Sequence, residues 1–195
     1  MKNYNKLEVI SPALEIDEVK RLYESIKHVA SIEEADNIIE KIPLAMNSTP
    51  EERAEWVEKL SEVLEETFDE STIKQIRQRC YCNENGKLEE SANALKEIYN
   101  SCNRDLYKFI DVLNESGAGW YIEDGFLYTK MFSCPCPMLE KAFISNSLTW
   151  CHCTAGYTKR FFELAFDMAV EAEIIHSMRQ GYGECLVKVS LLGHA

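Results

Sequence analysis

Gly117-Ala118-Gly119-Trp120-Tyr121-Ile122-Glu123-Asp124-Gly125-Phe126-Leu127-Tyr128-Thr129-Lys130-Met131-Phe132 is the stretch where the pattern of the chain changes. Two short runs rich in aromatic and β-branched residues flank Glu123-Asp124-Gly125. An Asp-Gly step between such runs predicts a β-hairpin, because both turn positions must accept a positive φ. Everything before Gly117 reads as helix instead. Asp17 to Ala30 places Val19, Leu22, Ile26 and Val29 on one face, the spacing of an amphipathic helix. Ser31 with Glu34 has the form of a capping box, and Pro43 closes the helix it opens. Ser48-Thr49-Pro50-Glu51-Glu52 is a second start signal, with Pro50 at the first helical position and acids in the first turn. Trp56, Leu60, Val63 and Leu64 form the stripe that follows. Further helices are expected over about 69–79, 88–100 and 104–115, with a break at Asn83-Glu84-Asn85-Gly86.

After the hairpin comes the loop Cys134-Pro135-Cys136-Pro137, whose prolines exclude a central strand. A helix is expected from Thr154 to Met168, capped by Thr154. Strands are expected over Val170–His176 and Cys185–Leu192. The expected fold is α+β: an N-terminal helical layer packed on a C-terminal antiparallel sheet with one long helix. Residues 1–116 form the mainly helical region and 117–195 the ligand-binding region, together one compact unit.

The chain has 195 residues, 46% of them apolar, enough to bury a core without a metal or disulfide staple. It carries 21 Lys and Arg against 33 Asp and Glu, a net charge of −12. That argues against a nucleic-acid partner, whose phosphates are held by Lys and Arg. No apolar run reaches the roughly 18 residues of a membrane span. The first twenty residues lack the apolar core of a secretory signal. The expectation is a cytoplasmic protein with a small-molecule ligand, no nucleic acid and no membrane; a homo-oligomer is compatible with the sequence. The charge is uneven: residues 1–100 hold 13 basic and 22 acidic side chains, residues 101–195 hold 8 and 11.

Eight cysteines are the informative feature. In a reducing compartment they point to metal ligands, reactive thiols or small core residues before structural disulfides. Six form three Cys-X-Cys pairs: Cys80/Cys82, Cys134/Cys136 and Cys151/Cys153. On an extended segment, residues two apart face the same side, so each pair could offer two sulfurs to one ion. Thiolates select soft cations, with zinc the expected metal and an iron–sulfur cluster the alternative. Buried inert thiols and redox disulfides between two pairs are the competing readings. Cys185 is expected in the core.

The densest stretch is Trp150-Cys151-His152-Cys153-Thr154-Ala155-Gly156-Tyr157. A thiol at a helix start is favoured as thiolate by free N–H groups and the helix dipole. Cys153 is therefore the candidate nucleophile and His152 the candidate base, with His176 as its alternate. Trp150, Gly156, Tyr157 and Glu163 are the candidate ligand-binding residues. The same helix start would suit a substrate carboxylate.

Cys134-Pro135-Cys136-Pro137, Trp150 to Tyr157, Phe162-Glu163, Val170 to Glu173, His176-Ser177, Gly181 and Cys185 to Val189 together resemble a group of small bacterial and archaeal proteins. That group is similar to the 2-amino-thiazoline-4-carboxylate hydrolase-like proteins and, more distantly, to 4-vinyl-reductase-type small-molecule-binding domains. The resemblance covers about the last third of the chain and implies an α/β ligand-binding fold with a cysteine-lined, metal-holding site. It implies hydrolysis of a small cyclic C–N substrate as one activity, without assigning catalytic residues. Leu186-Val187-Lys188 departs from the more polar strand expected in the group. Three functions follow as expectations: a small-molecule-binding protein with a cysteine-lined zinc site, a cysteine-dependent hydrolase, and an acidic protein-interaction or sensory module.

Overall fold

Helix starts in this chain are written in side chains that accept from otherwise orphaned N–H groups. The computed structural model describes residues 13–83, 86–142 and 144–192. Helix α1 spans Asp17–Val29 and α2 Ile32–Lys41; the Ser31 hydroxyl accepts from the Glu34 N–H at 3.1 Å. Helix α3 spans Pro50–Thr67 and opens on a complete capping box, in which Thr49 and Glu52 accept from each other's backbone N–H. Helix α4 spans Glu70–Gln78, capped by Asp69, which accepts from the Thr72 N–H at 2.7 Å. That hydrogen bond holds the exposed Asp69 carboxyl below its ordinary range. Thr49→Ala leaves the first-turn N–H of α3 unsatisfied and should cost about 1 kcal/mol. Urea denaturation of the variant against the parent measures it, and an unchanged midpoint would mean the box adds nothing.

The chain forms two compact units, one of residues up to Cys80 with Pro135–Trp150, the other of Tyr81–Cys134 with Cys151 onward. The first unit holds α1 to α4. Its core is built from Val19, Leu22 and Ile26 of α1, Ile38 of α2, Val57, Leu60 and Leu64 of α3, and Ile76 of α4, all buried. Trp56 and Trp150 meet edge to face at 5.8 Å, and the Trp56 indole donates to the Ile42 carbonyl at 2.8 Å. The Glu65 carboxylate accepts from the hydroxyls of Ser147 and Thr149, both at 2.6 Å, tying the 135–150 segment to α3.

The second unit holds α5 (Lys87–Ser101), α6 (Leu106–Glu115), α7 (His152–Phe166) and four strands: β1 (Tyr121–Glu123), β2 (Phe126–Met131), β3 (Ala169–His176) and β4 (Cys185–Leu192). The units therefore do not divide at residue 116, because α5 and α6 pack with the sheet. Part of the expected break before α5, Glu84-Asn85, lies outside the described residues. The sheet order is β1-β2-β4-β3, antiparallel throughout. Asp124 and Gly125 have φ of 51° and 79°, the turn that an Asp-Gly step is suited to make. Leu127, Val187, Val189, Val170 and Ala172 point to one face of the sheet and are buried against Ala155, Phe162, Ala165 and Phe166 of α7. Tyr99 of α5 and Phe109 of α6 complete this core. The fold is α+β, with helices mostly N-terminal and strands C-terminal. Among the described residues no helix is long and apolar enough to cross a membrane.

Candidate functional site

The buried face of α7 runs through Cys151, Ala155, Thr158, Phe162, Ala165 and Phe166 at helical spacing. That stripe pulls the helix start forward. α7 begins at His152 with Cys151 as its N-cap residue (φ −76°, ψ −12°), which makes no side-chain cap hydrogen bond. The expected start at Thr154, with its hydroxyl as the cap, is corrected accordingly. Thr154 lies in the first turn, and its N–H donates to the Cys151 carbonyl at 2.9 Å. Cys151 and Cys153 consequently do not sit on an extended segment. Residues two apart on a helix point in different directions, so the same-side geometry expected of an extended pair does not apply here.

Cys151 is buried and half-buried Cys153 lies two residues on. Burial pushes the Cys151 thiol up to about 12; the Ser177 hydroxyl and the Arg179 guanidinium pull it back, and Cys153 and Cys134 raise it further. Two further sulfurs, one hydroxyl and one guanidinium thus act on the buried Cys151 thiol at the start of α7. Ser177 and Arg179 are themselves buried. They stand in the β3–β4 connection, where Ser177 precedes a short 3-10 turn, Met178–Gln180. The Gln180 carboxamide accepts from the Ser177 N–H at 3.0 Å and holds that turn. Cys185 accepts from the Met178 N–H at 3.4 Å and is buried, a core position as its sequence context suggested.

The other candidates disperse. His152 is buried, at the first position of α7. His176 stacks on Tyr182 at 4.1 Å and stands 3.6 Å from the Glu184 carboxylate. Gly156 is buried in the second turn of α7, and Tyr157 stacks on Phe161 at 5.9 Å. Burial raises the Tyr157 hydroxyl, with Glu89 adding to it. Glu163 is half-buried on α7, 3.8 Å from Arg160. Cys134 is exposed and Cys82 and Cys136 are half-buried. Cys80 is buried and donates to the carbonyls of Ile76 at 3.2 Å and Arg21 at 3.7 Å. Cys80 and Cys136 belong to the first unit, Cys82 and Cys134 to the second, so two of the three pairs are divided between units. Among the described residues no three Cys, His, Asp or Glu side chains are grouped to hold a metal ion.

Residues 13–195 match a family described as one of unknown function. The chain belongs to the DUF6144 family. The match takes in both units of the DUF6144 fold. No curated protein matches this DUF6144 chain. Two residues that shape its α7 site, Ser177 and Arg179, were not among the sequence candidates. Ser177-Met178-Arg179-Gln180 has no periodicity that would mark them as buried.

Proposed function

We propose that the second unit binds a small anionic molecule, a carboxylate in the simplest case, at the start of α7. Arg179 supplies the positive charge, the first-turn N–H groups of α7 supply donors, and Cys134, Cys151 and Cys153 form a thiol wall. The observation that carries this reading is the buried Arg179 guanidinium acting on Cys151 beside a helix start whose N-cap makes no side-chain bond. An uncapped helix N-terminus and a guanidinium both favour negative charge. At neutral pH Cys151 stays protonated and adds no negative charge there. The resemblance of the last third of the sequence to thiazoline-carboxylate hydrolase-like proteins would imply the same ligand class. We place the protein in the cytoplasm, where its eight cysteines would stay reduced.

Zinc is the second reading, and the effect of Cys153 and Cys134 on the Cys151 thiol favours it. Both disfavour a thiolate at Cys151, and a soft divalent cation bound there would relieve that repulsion. Cys151 would lose its proton on binding.

One set of measurements separates these readings. Thermal shift with a panel of small carboxylates should give a saturable stabilisation, weakened about tenfold or more in Arg179→Met. Equal binding by that variant, or no saturable shift across the panel, would overturn the carboxylate reading. About one zinc per chain after anaerobic purification, lost in Cys151→Ser/Cys153→Ser, would move the function to a metal site. Under alkylation the exposed Cys134 should react first and Cys80 and Cys151 last. A Cys153 that outpaced every other thiol near neutral pH would favour the hydrolase.

A further inference from the structure

Arg77 lies in the first unit, away from any residue of the proposed α7 site in sequence, and it is 2% exposed. Its guanidinium lies over the indole of Trp150, with the central carbon 3.8 Å from the ring centroid, and one Nη donates to the Trp150 carbonyl at 2.8 Å. Its partners among the described residues are Trp150 and the Cys80 thiol, and neither is a carboxylate. Glu65 reaches the same segment, but its carboxylate oxygen is taken by Ser147 and Thr149. Ser25, also buried, gives its hydroxyl hydrogen to the Ile76 carbonyl at 2.6 Å. Cys80 does not supply the missing charge either: burial raises its thiol, although Arg77 pulls the other way. Two N–H donors of the stacked pair, Arg77 Nε and Trp150 Nε1, are buried without an acceptor among the described residues.

A buried guanidinium without a countercharge, next to a second orphaned donor, is costly. The cost is removed when one acceptor carrying negative charge reaches both. We propose that Arg77 and Trp150 form an internal anion site in the first unit, taking the carboxylate of a small organic acid. A monoanion suits this place better than phosphate. The Trp150 ring, which packs on Trp56, gives it an apolar wall, and the desolvation of a dianion is larger. The guanidinium and indole N–H groups are charge-assisted and neutral donors respectively, a pairing matched to the two oxygens of one carboxylate.

The test is a proton–nitrogen NMR titration of the intact chain with acetate and benzoate, and separately with inorganic phosphate. Trp150→Phe assigns the Trp150 indole signal among the three tryptophans. Saturable downfield movement of the Trp150 Nε1–H and an arginine Nε–H with a carboxylate is the expected result. Arg77→Met should weaken that response about tenfold or more. If Arg77→Met does not fold, Trp150→Phe serves in its place: it removes one donor and should weaken the carboxylate response of the arginine Nε–H. Signals that stay in place at saturating carboxylate would overturn the site and leave Arg77 as a packing residue. Movement with phosphate but not with carboxylate would overturn the assigned ligand class. Arg179→Met should leave the Trp150 response intact, so failure at α7 and failure here are read apart.

Discussion

Phe166→Ala is expected to cost the second unit about 3–5 kcal/mol, the range for emptying a fully buried aromatic position. Phe166 is 0% exposed and closes α7. Its ring meets Tyr99 at 4.5 Å, Phe162 at 5.1 Å and Phe109 at 5.6 Å, so one side chain joins α5, α6 and α7. Its backbone is held separately, since Arg104 donates to the Phe166 carbonyl at 3.0 Å and Asp167 follows in a left-handed conformation. The helix end therefore stays where it is when the ring is removed, and the space cannot close by moving α7. Domains are typically stable by only about 5–15 kcal/mol. The loss is a large fraction of that. Urea denaturation followed by circular dichroism and by Trp120 emission reads it, because Trp120 packs on Phe162 at 5.5 Å. Phe132→Ala is the control: Phe132 is 56% exposed and its loss should be near zero. A drop below about 1 kcal/mol for Phe166→Ala would mean that this ring is not the joint described.

The local signals in the sequence carried the architecture where one chemical rule acted alone. Thr49-Pro50-Glu51-Glu52 opens α3 because proline, acid and cap all agree, and Asp124-Gly125 turns the hairpin because only such residues accept two positive φ angles. The start of α7 was misplaced because two rules competed there. Thr154 is the better capping residue, but the buried stripe through Cys151 and Ala155 extends the helix one turn earlier. Packing outweighs a cap of about 1 kcal/mol. That one shift also removes the paired geometry of Cys151 and Cys153, which rested on an extended backbone. Arg77 was legible in part. Ile73, Ile76, Arg77 and Cys80 share a helical face, and an arginine on an apolar face announces a buried charge. Its partner is 73 positions away, and no local pattern could name Trp150. Arg179 and Ser177 sit in a connection without period, so their meeting with Cys151 depends on the return of β3 and β4.

Stability should fall as pH rises above about 9, and Cys151→Ala should remove much of that fall. Burial holds the Cys151 thiol at about 12, against an ordinary 9.0. In the unfolded chain this thiol ionises from pH 9 upward, while in the fold it keeps its proton to about 12. The native state therefore binds the extra proton in that window. The stabilisation is complete below pH 9 and is lost progressively toward pH 12. Its full size is of the order of a few kcal/mol. Cys80 and Tyr23 shift in the same direction, Tyr23 to about 12 from 10.0, so the variant should retain a shallower slope rather than none. Urea midpoints at pH 7.5, 9 and 10.5 compare the two proteins. Parallel slopes would show that Cys151 is not the buried thiol responsible. The same curve bears on function. A zinc ion at Cys151 would ionise the thiol already at neutral pH, and no proton would remain to be lost. The parent protein would then show the variant's shallow slope, and a chelator would restore the steep one. A steep slope in the protein as purified, unmoved by chelator, would favour a protonated thiol wall beside Arg179 and an anionic ligand over a metal.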